Sequence, residues 1–98
     1  MPASIRLLSV EPLLSPIPEL NLIGIHWVIV GGESGFRARP MKPTWARQIR
    51  DQCETAGIPF FMKQMGSFYM RQMFGRSTKG GEEEDIPADL RIREWPSS

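Results

Sequence analysis

The sequence predicts an α/β domain with about three parallel strands and an irregular C-terminal segment. Three observations carry this. Trp27–Val30 (WVIV) is an unbroken apolar run without alternation, the pattern of a parallel strand covered on both faces. Trp45, Ile49 and Cys53 recur at helical spacing, one apolar stripe. Ile58–Met62 (IPFFM) follows as another apolar run. Strand, helix and strand in that order form a βαβ unit, whose crossover is right-handed.

Taken in order, Ile5–Val10 (IRLLSV) reads as a buried strand that stops at Glu11-Pro12. Pro12, Pro16 and Pro18 make the next stretch an ordered, extended loop. Proline lacks the amide donor a helix needs and steers the residue before it away from helical backbone. Trp27–Val30 is the second strand. Gly31-Gly32 end it, and Glu33-Ser34-Gly35 follow as a turn. Pro43–Ala56 reads as a helix, capped by Thr44 or by the residue before Pro43. Gly57 suits the position just past its end, and Pro59 blocks continuation. Ile58–Met62 is the third strand, ending at Lys63-Gln64. In Met65–Gly81, the apolar Phe68, Tyr69, Met70, Met73 and Phe74 show no clean period, and Gly75–Gly81 reads as a flexible loop. Order resumes at Ile86–Trp95, where Ile92 and Trp95 tack a closing segment onto the body.

Composition narrows the function classes. The chain has 98 residues, one Cys and one His, which fits a single domain, 1–98. It excludes an internal disulfide, any Cys₄ zinc or iron–sulfur site built by these residues alone, and a multi-histidine metal cluster. No metal site is expected. No secretory leader and no apolar run near about 18 residues is read, so a cytoplasmic location and no membrane contact are expected. Net charge is +1, but it is unevenly spread. Residues 35–79 hold nine basic residues against Asp51 and Glu54, and residues 80–98 are acidic. The basic middle is either a solvated face closed by Glu82–Asp85 or a surface for nucleic acid or another anion, using Arg37, Arg39, Lys42, Arg47 and Arg50.

The strand ends supply the candidate catalytic residues. The first exits at Glu11, the second at Glu33 and the third at Lys63-Gln64. Parallel strands place these ends on one edge, where α/β proteins bind ligands. Glu11, Glu33 and Lys63 either converge there in one polar site or mark where the strands leave the core. A carboxylate beside a lysine suits acid–base work if burial shifts either group. Gly31–Gly35 allows close backbone approach to a ligand, but it is neither GxGxxG nor a P-loop. Arg37, Arg39 and Lys42 follow in the loop, as an anion clamp or as a solvated basic stretch. Cys53 lies on the helix stripe and reads as a core thiol. His26 reads as structural or exposed, and Met62, Met65, Met70 and Met73 as packing residues.

RLLSVEPLL, WVIVGGESG followed by ARPM, the pattern Pro43, Trp45, Arg50, Asp51, Gln52, Cys53, the segment IPFFMKQMG and the ending DIPADLRIREWP together resemble the C-terminal part of a phage-associated protein family of unknown function. That family's longer members are similar to radical SAM enzymes. The resemblance covers nearly the whole chain. It implies a partial (βα) barrel-like fragment, the C-terminal portion of a larger β/α barrel. S-adenosylmethionine and a [4Fe–4S] cluster are implied only for full-length relatives, whose cysteine-rich segment has no counterpart here. No cofactor is expected to be bound by this chain alone, nor independent catalysis. By resemblance, Glu11, Glu33, Lys63 and Gln64 line the barrel cavity, with Ser34, Arg37 and Arg39 near its rim; Ser34, Arg37, Arg39 and Gln64 are the cofactor-binding candidates. Three strands taken from a barrel expose two raw edges and an uncovered face. A homo-oligomer, or pairing with a separately encoded N-terminal barrel half, is therefore expected, which leaves the C-terminal half of a two-chain enzyme as an alternative reading.

Overall fold

A computed structural model describes residues 4–96. It contains strand β1 (Leu7–Val10), strand β2 (Trp27–Gly31), helix α1 (Pro43–Ala56), strand β3 (Phe60–Gln64) and helix α2 (Ser67–Phe74), with short 3-10 turns at Glu83–Asp85 and Ala88–Leu90. The strands form one sheet in the order β1-β2-β3, and both pairings are parallel. The fold is α/β, an unclosed three-stranded parallel sheet with an irregular C-terminal region, as a partial barrel-like fragment requires.

Alternation along the strands explains the layering. Val28, Val30, Phe60, Met62 and Gln64 are buried on one face, and Leu8 and Val10 pack against the same core. Ala46, Ile49 and Cys53 of α1 belong to this core. Leu13, Ile86 and Leu90 fill its margins. Trp45 is half-buried against this core and Ala56 is exposed, so the stripe of α1 is centred on Ala46, Ile49 and Cys53 with Trp45 at its margin. The proline-rich loop before β2 is held by two glutamines of α1. Gln48 Oε1 accepts from the Ile17 amide at 2.8 Å, and Gln52 Oε1 accepts from the Leu20 amide at 2.7 Å while its Nε2 donates to the Ile17 carbonyl at 2.7 Å. These bonds order a stretch that proline keeps out of helix and sheet.

Several expectations change. The first strand is four residues, not six. The third begins at Phe60 rather than Ile58, because the Ile58 amide donates to the Cys53 carbonyl at the end of α1. It continues through Lys63 and Gln64, which pairs with Gly31 across a bulge. Helix α2 occupies the stretch without a clean period. It buries only Ser67 and Met70, so most of its apolar residues follow no core-facing stripe. The helix cap is the residue before Pro43, Lys42, as one of the two expected readings had it, and it makes no side-chain capping bond.

The cover expected on both faces of Trp27–Val30 and one of the two raw edges also differ from expectation. Among the described residues β2 is covered on one face only: Trp27 and Ile29 remain partly exposed on the other. The β3 edge is not raw. The Met62 amide donates to the Ile92 carbonyl at 2.8 Å and the Glu94 amide to the Phe60 carbonyl at 3.0 Å, with Phe61 and Arg93 paired antiparallel. Arg93 fastens this segment by donating to the carbonyls of Met62, Lys63 and Gly81.

Candidate functional site

The sheet face opposite α1 forms the floor of a cavity of about 810 Å³. Period-two alternation places its side chains in layers. The register pairs Leu7 with Trp27, and Ser9 with Ile29 and Phe61. Glu11, Gly31 and Lys63 come last, at the C-terminal strand ends. The lower end is aromatic. Trp27, Phe61 and Trp95 meet with ring centroids 5.0–5.9 Å apart, and Trp27 Nε1 donates to the Glu94 carbonyl at 2.8 Å. The C-terminal segment thus brings Trp95 beneath the open face while it closes the β3 edge.

The upper end is ionic. Lys63 Nζ donates to Glu11 Oε1 at 3.2 Å. The two residues sit on the outer strands, so Glu11 must lean across β2. Gly31 permits this: a Cβ there would lie 3.1–3.3 Å from the Glu11 carboxyl end. Gly32 serves a different contact. A Cβ at Gly32 would meet the Met65 carbonyl oxygen and stand 2.8 Å from Gly66 Cα. The glycine pair therefore admits a carboxylate and a neighbouring backbone turn, and the close approach at Gly32 is to Gly66 rather than to a ligand.

Glu33 does not join the pair. Its carboxylate takes the Arg39 side chain at 3.0 and 2.7 Å and the Arg39 amide at 2.8 Å. The Arg39 guanidinium, and then its amide, hold Glu33 down at about 2. Arg39 is thereby occupied and is no free anion clamp. Ser34 and Arg37 are exposed in the turn and the following loop. Gln64 is buried and donates from Nε2 to the Gly32 carbonyl at 2.8 Å, a bond that ties β3 to the end of β2. Of the strand-end candidates, Glu11 and Lys63 come together, while Glu33 is held apart by Arg39.

The basic middle is largely matched within the fold. Arg47 and Arg50 both bind Asp89, with nearest contacts of 2.7 Å, and Arg50 also holds Asp51. Arg47, followed by Arg50, pulls Asp89 down to about 2. Lys42 stands 5.8 Å from the Trp45 ring. Three of the five cations proposed for nucleic acid therefore spend their charge on carboxylates. Cys53 is fully buried, and burial pushes its thiol up to about 11, the behaviour of a packing residue.

Sequence reasoning missed the aromatic lower layer and Arg93. The alternation Leu7, Ser9, Glu11 and Phe61, Lys63 was the available signal, but Trp95 reaches the face only through long-range folding. Among the described residues, no group of three or more His, Cys, Asp or Glu could hold a metal ion, so no complete cluster site is present in them. No helix among them is long and apolar enough to cross a membrane.

A family model described as "Protein of unknown function (DUF5131)" matches residues 1–87. Comparisons with curated proteins and with solved structures return no match.

Proposed function

The chain belongs to the DUF5131 family, and we propose that it forms one wall of a larger β/α barrel of the radical SAM-like, phage-associated kind. It supplies the Glu11–Lys63 pair to a substrate cavity and does not catalyse by itself. The [4Fe–4S] cluster and S-adenosylmethionine are held by other polypeptide, either a further part of the same chain or a separate N-terminal barrel half. One observation carries this reading: a parallel sheet has one face packed on a helix, and its other face is open and ends in an ion pair at the C-terminal strand edge. In a barrel the helices lie outside and that open face lies inside, with chemistry at the C-terminal end.

The test mixes residues 1–98 with the cysteine-rich N-terminal portion of a longer family member, after reconstitution of its cluster. Light scattering after size exclusion should find a complex. With a reductant, 5′-deoxyadenosine should form from the mixture and not from residues 1–98 alone. A monomer that melts cooperatively and ignores the N-terminal portion would overturn the reading.

A further inference from the structure

We infer that the open face recognises a small, neutral, planar heteroaromatic ring that presents a carbonyl beside a ring N–H. This rests on the reading of that face as a cavity wall, and names the chemistry of its occupant.

Three observations support it. The cavity is lined by as many carboxylates as cations, so it offers no net attraction to an anion such as phosphate. Much of the positive charge is also engaged. Lys63 holds Glu11, Arg76 stands 3.8 Å from Asp85, and Arg93 donates to three backbone carbonyls. At the upper end, an acceptor and a donor lie side by side, Glu11 Oε1 and Lys63 Nζ at 3.2 Å. That spacing matches a ligand edge on which N–H and C=O are adjacent: the carboxylate takes the proton and the ammonium meets the oxygen. The lower end is a π surface, whose Trp95 is 69% exposed. Phe61 and Lys63 are two residues apart on one strand, about 6.6 Å, so a ring seated near Phe61 and Trp95 lies within reach of the ion pair.

The test uses the indole N–H signals of the whole chain in proton–nitrogen NMR. Trp27 and Trp95 line the cavity, while Trp45 does not and serves as an internal control. The probes are uracil and 1,3-dimethyluracil, which keeps the ring and carbonyls but has no N–H. Uracil at millimolar concentration should shift Trp95 and Trp27 and leave Trp45 in place. Dimethyluracil should bind about tenfold more weakly, the loss expected for one hydrogen bond. Lys63→Met should bring uracil to the level of dimethyluracil while the Trp95 shift persists. Equal binding of the two probes to the unaltered chain would overturn the edge recognition and leave the cavity wall standing. Shifts spread equally over all three indoles, or none, would overturn the ligand assignment, while complex formation with the N-terminal portion decides the wall separately. Binding of a uridine oligonucleotide without binding of free uracil would overturn the small-molecule assignment.

Discussion

The adjacent glycines at the end of β2 should respond very differently to a single methyl group. At Gly32 an added Cβ would run into the Met65 carbonyl oxygen and lie 2.8 Å from Gly66 Cα. Both obstacles are backbone. Gly66 itself has a φ of +95°, a conformation that leaves it little freedom to rearrange. Overpacking ordinarily costs about 1–3 kcal/mol, and a backbone clash belongs at the upper end, near about 3 kcal/mol. At Gly31 the obstacle is the end of the Glu11 side chain, 3.1–3.3 Å away. That side chain can swing aside, and replacing glycine in ordinary backbone recovers about 0.4–1 kcal/mol through the unfolded chain. Gly31→Ala should therefore leave stability nearly unchanged. With a urea dependence of about 1 kcal/mol per molar, the midpoint for Gly32→Ala should fall by roughly 3 M and that for Gly31→Ala by less than about 1 M. A chain of this size has roughly 5–15 kcal/mol in hand, so Gly32→Ala removes a large share of it. Equal midpoints for the two variants would refute the assignment of separate roles to the two glycines.

Two further outcomes follow from the ionisable groups. Glu33 lies below its ordinary 4.5 and Asp89 below its ordinary 3.8, both at about 2, held there by Arg39 and Arg47 respectively. A depressed folded-state pKa adds stability above the unfolded value, and that stability disappears as pH falls through the folded one. Melting temperature should therefore drop between pH 4.5 and 2 more steeply in the native chain than in Glu33→Gln or Asp89→Asn. Profiles that run parallel would remove these pairs as the cause. Cys53, buried and raised to about 11, should resist a thiol reagent at pH 8 until denaturant unfolds the chain; rapid labelling of the folded protein would show that α1 does not seal it.

The elements that were legible in the sequence have local causes. Helix α1 starts and stops where Pro43 and Gly57 place it, and the breakers act on their immediate neighbours. The parallel order followed from unbroken apolar runs around that helix, which also brought Glu11 and Lys63 to one edge although they are 52 positions apart in sequence. The illegible features depend on competition between partners. Glu33 stands at a strand end as Glu11 does, but Arg39 lies six residues on and the loop folds back to it. Ile58 looks like strand, yet its amide is already taken by the helix end. Helix α2 rests on few buried contacts, so it leaves no periodic stripe. The acidic tail expected to close the basic middle does so through Asp89, which holds Arg47 and Arg50 from just beyond the Glu82–Asp85 run.

The edges of the sheet are unequal, and this bears on how the wall could be completed. At β3 the position beside the strand is taken by residues 92–94 running antiparallel, and Arg93 binds three carbonyls there. A parallel strand added on that side would have to displace them. At β1, Leu7–Val10 is short but contains neither proline nor charge, two of the devices that keep a free edge from pairing. A further strand therefore belongs beside β1, next to the column Leu7, Ser9 and Glu11, and it would extend the cavity side that holds the ion pair. Hydrogen exchange tests this directly. In the isolated chain, the β1 amides that face away from β2 should exchange quickly, while the Met62 amide, bonded to Ile92, should be slow. Addition of the N-terminal portion used above should slow the β1 amides and leave Met62 as it was. New exchange at Met62, with β1 unaltered, would mean that the C-terminal segment is displaced and that the sheet grows from β3 instead.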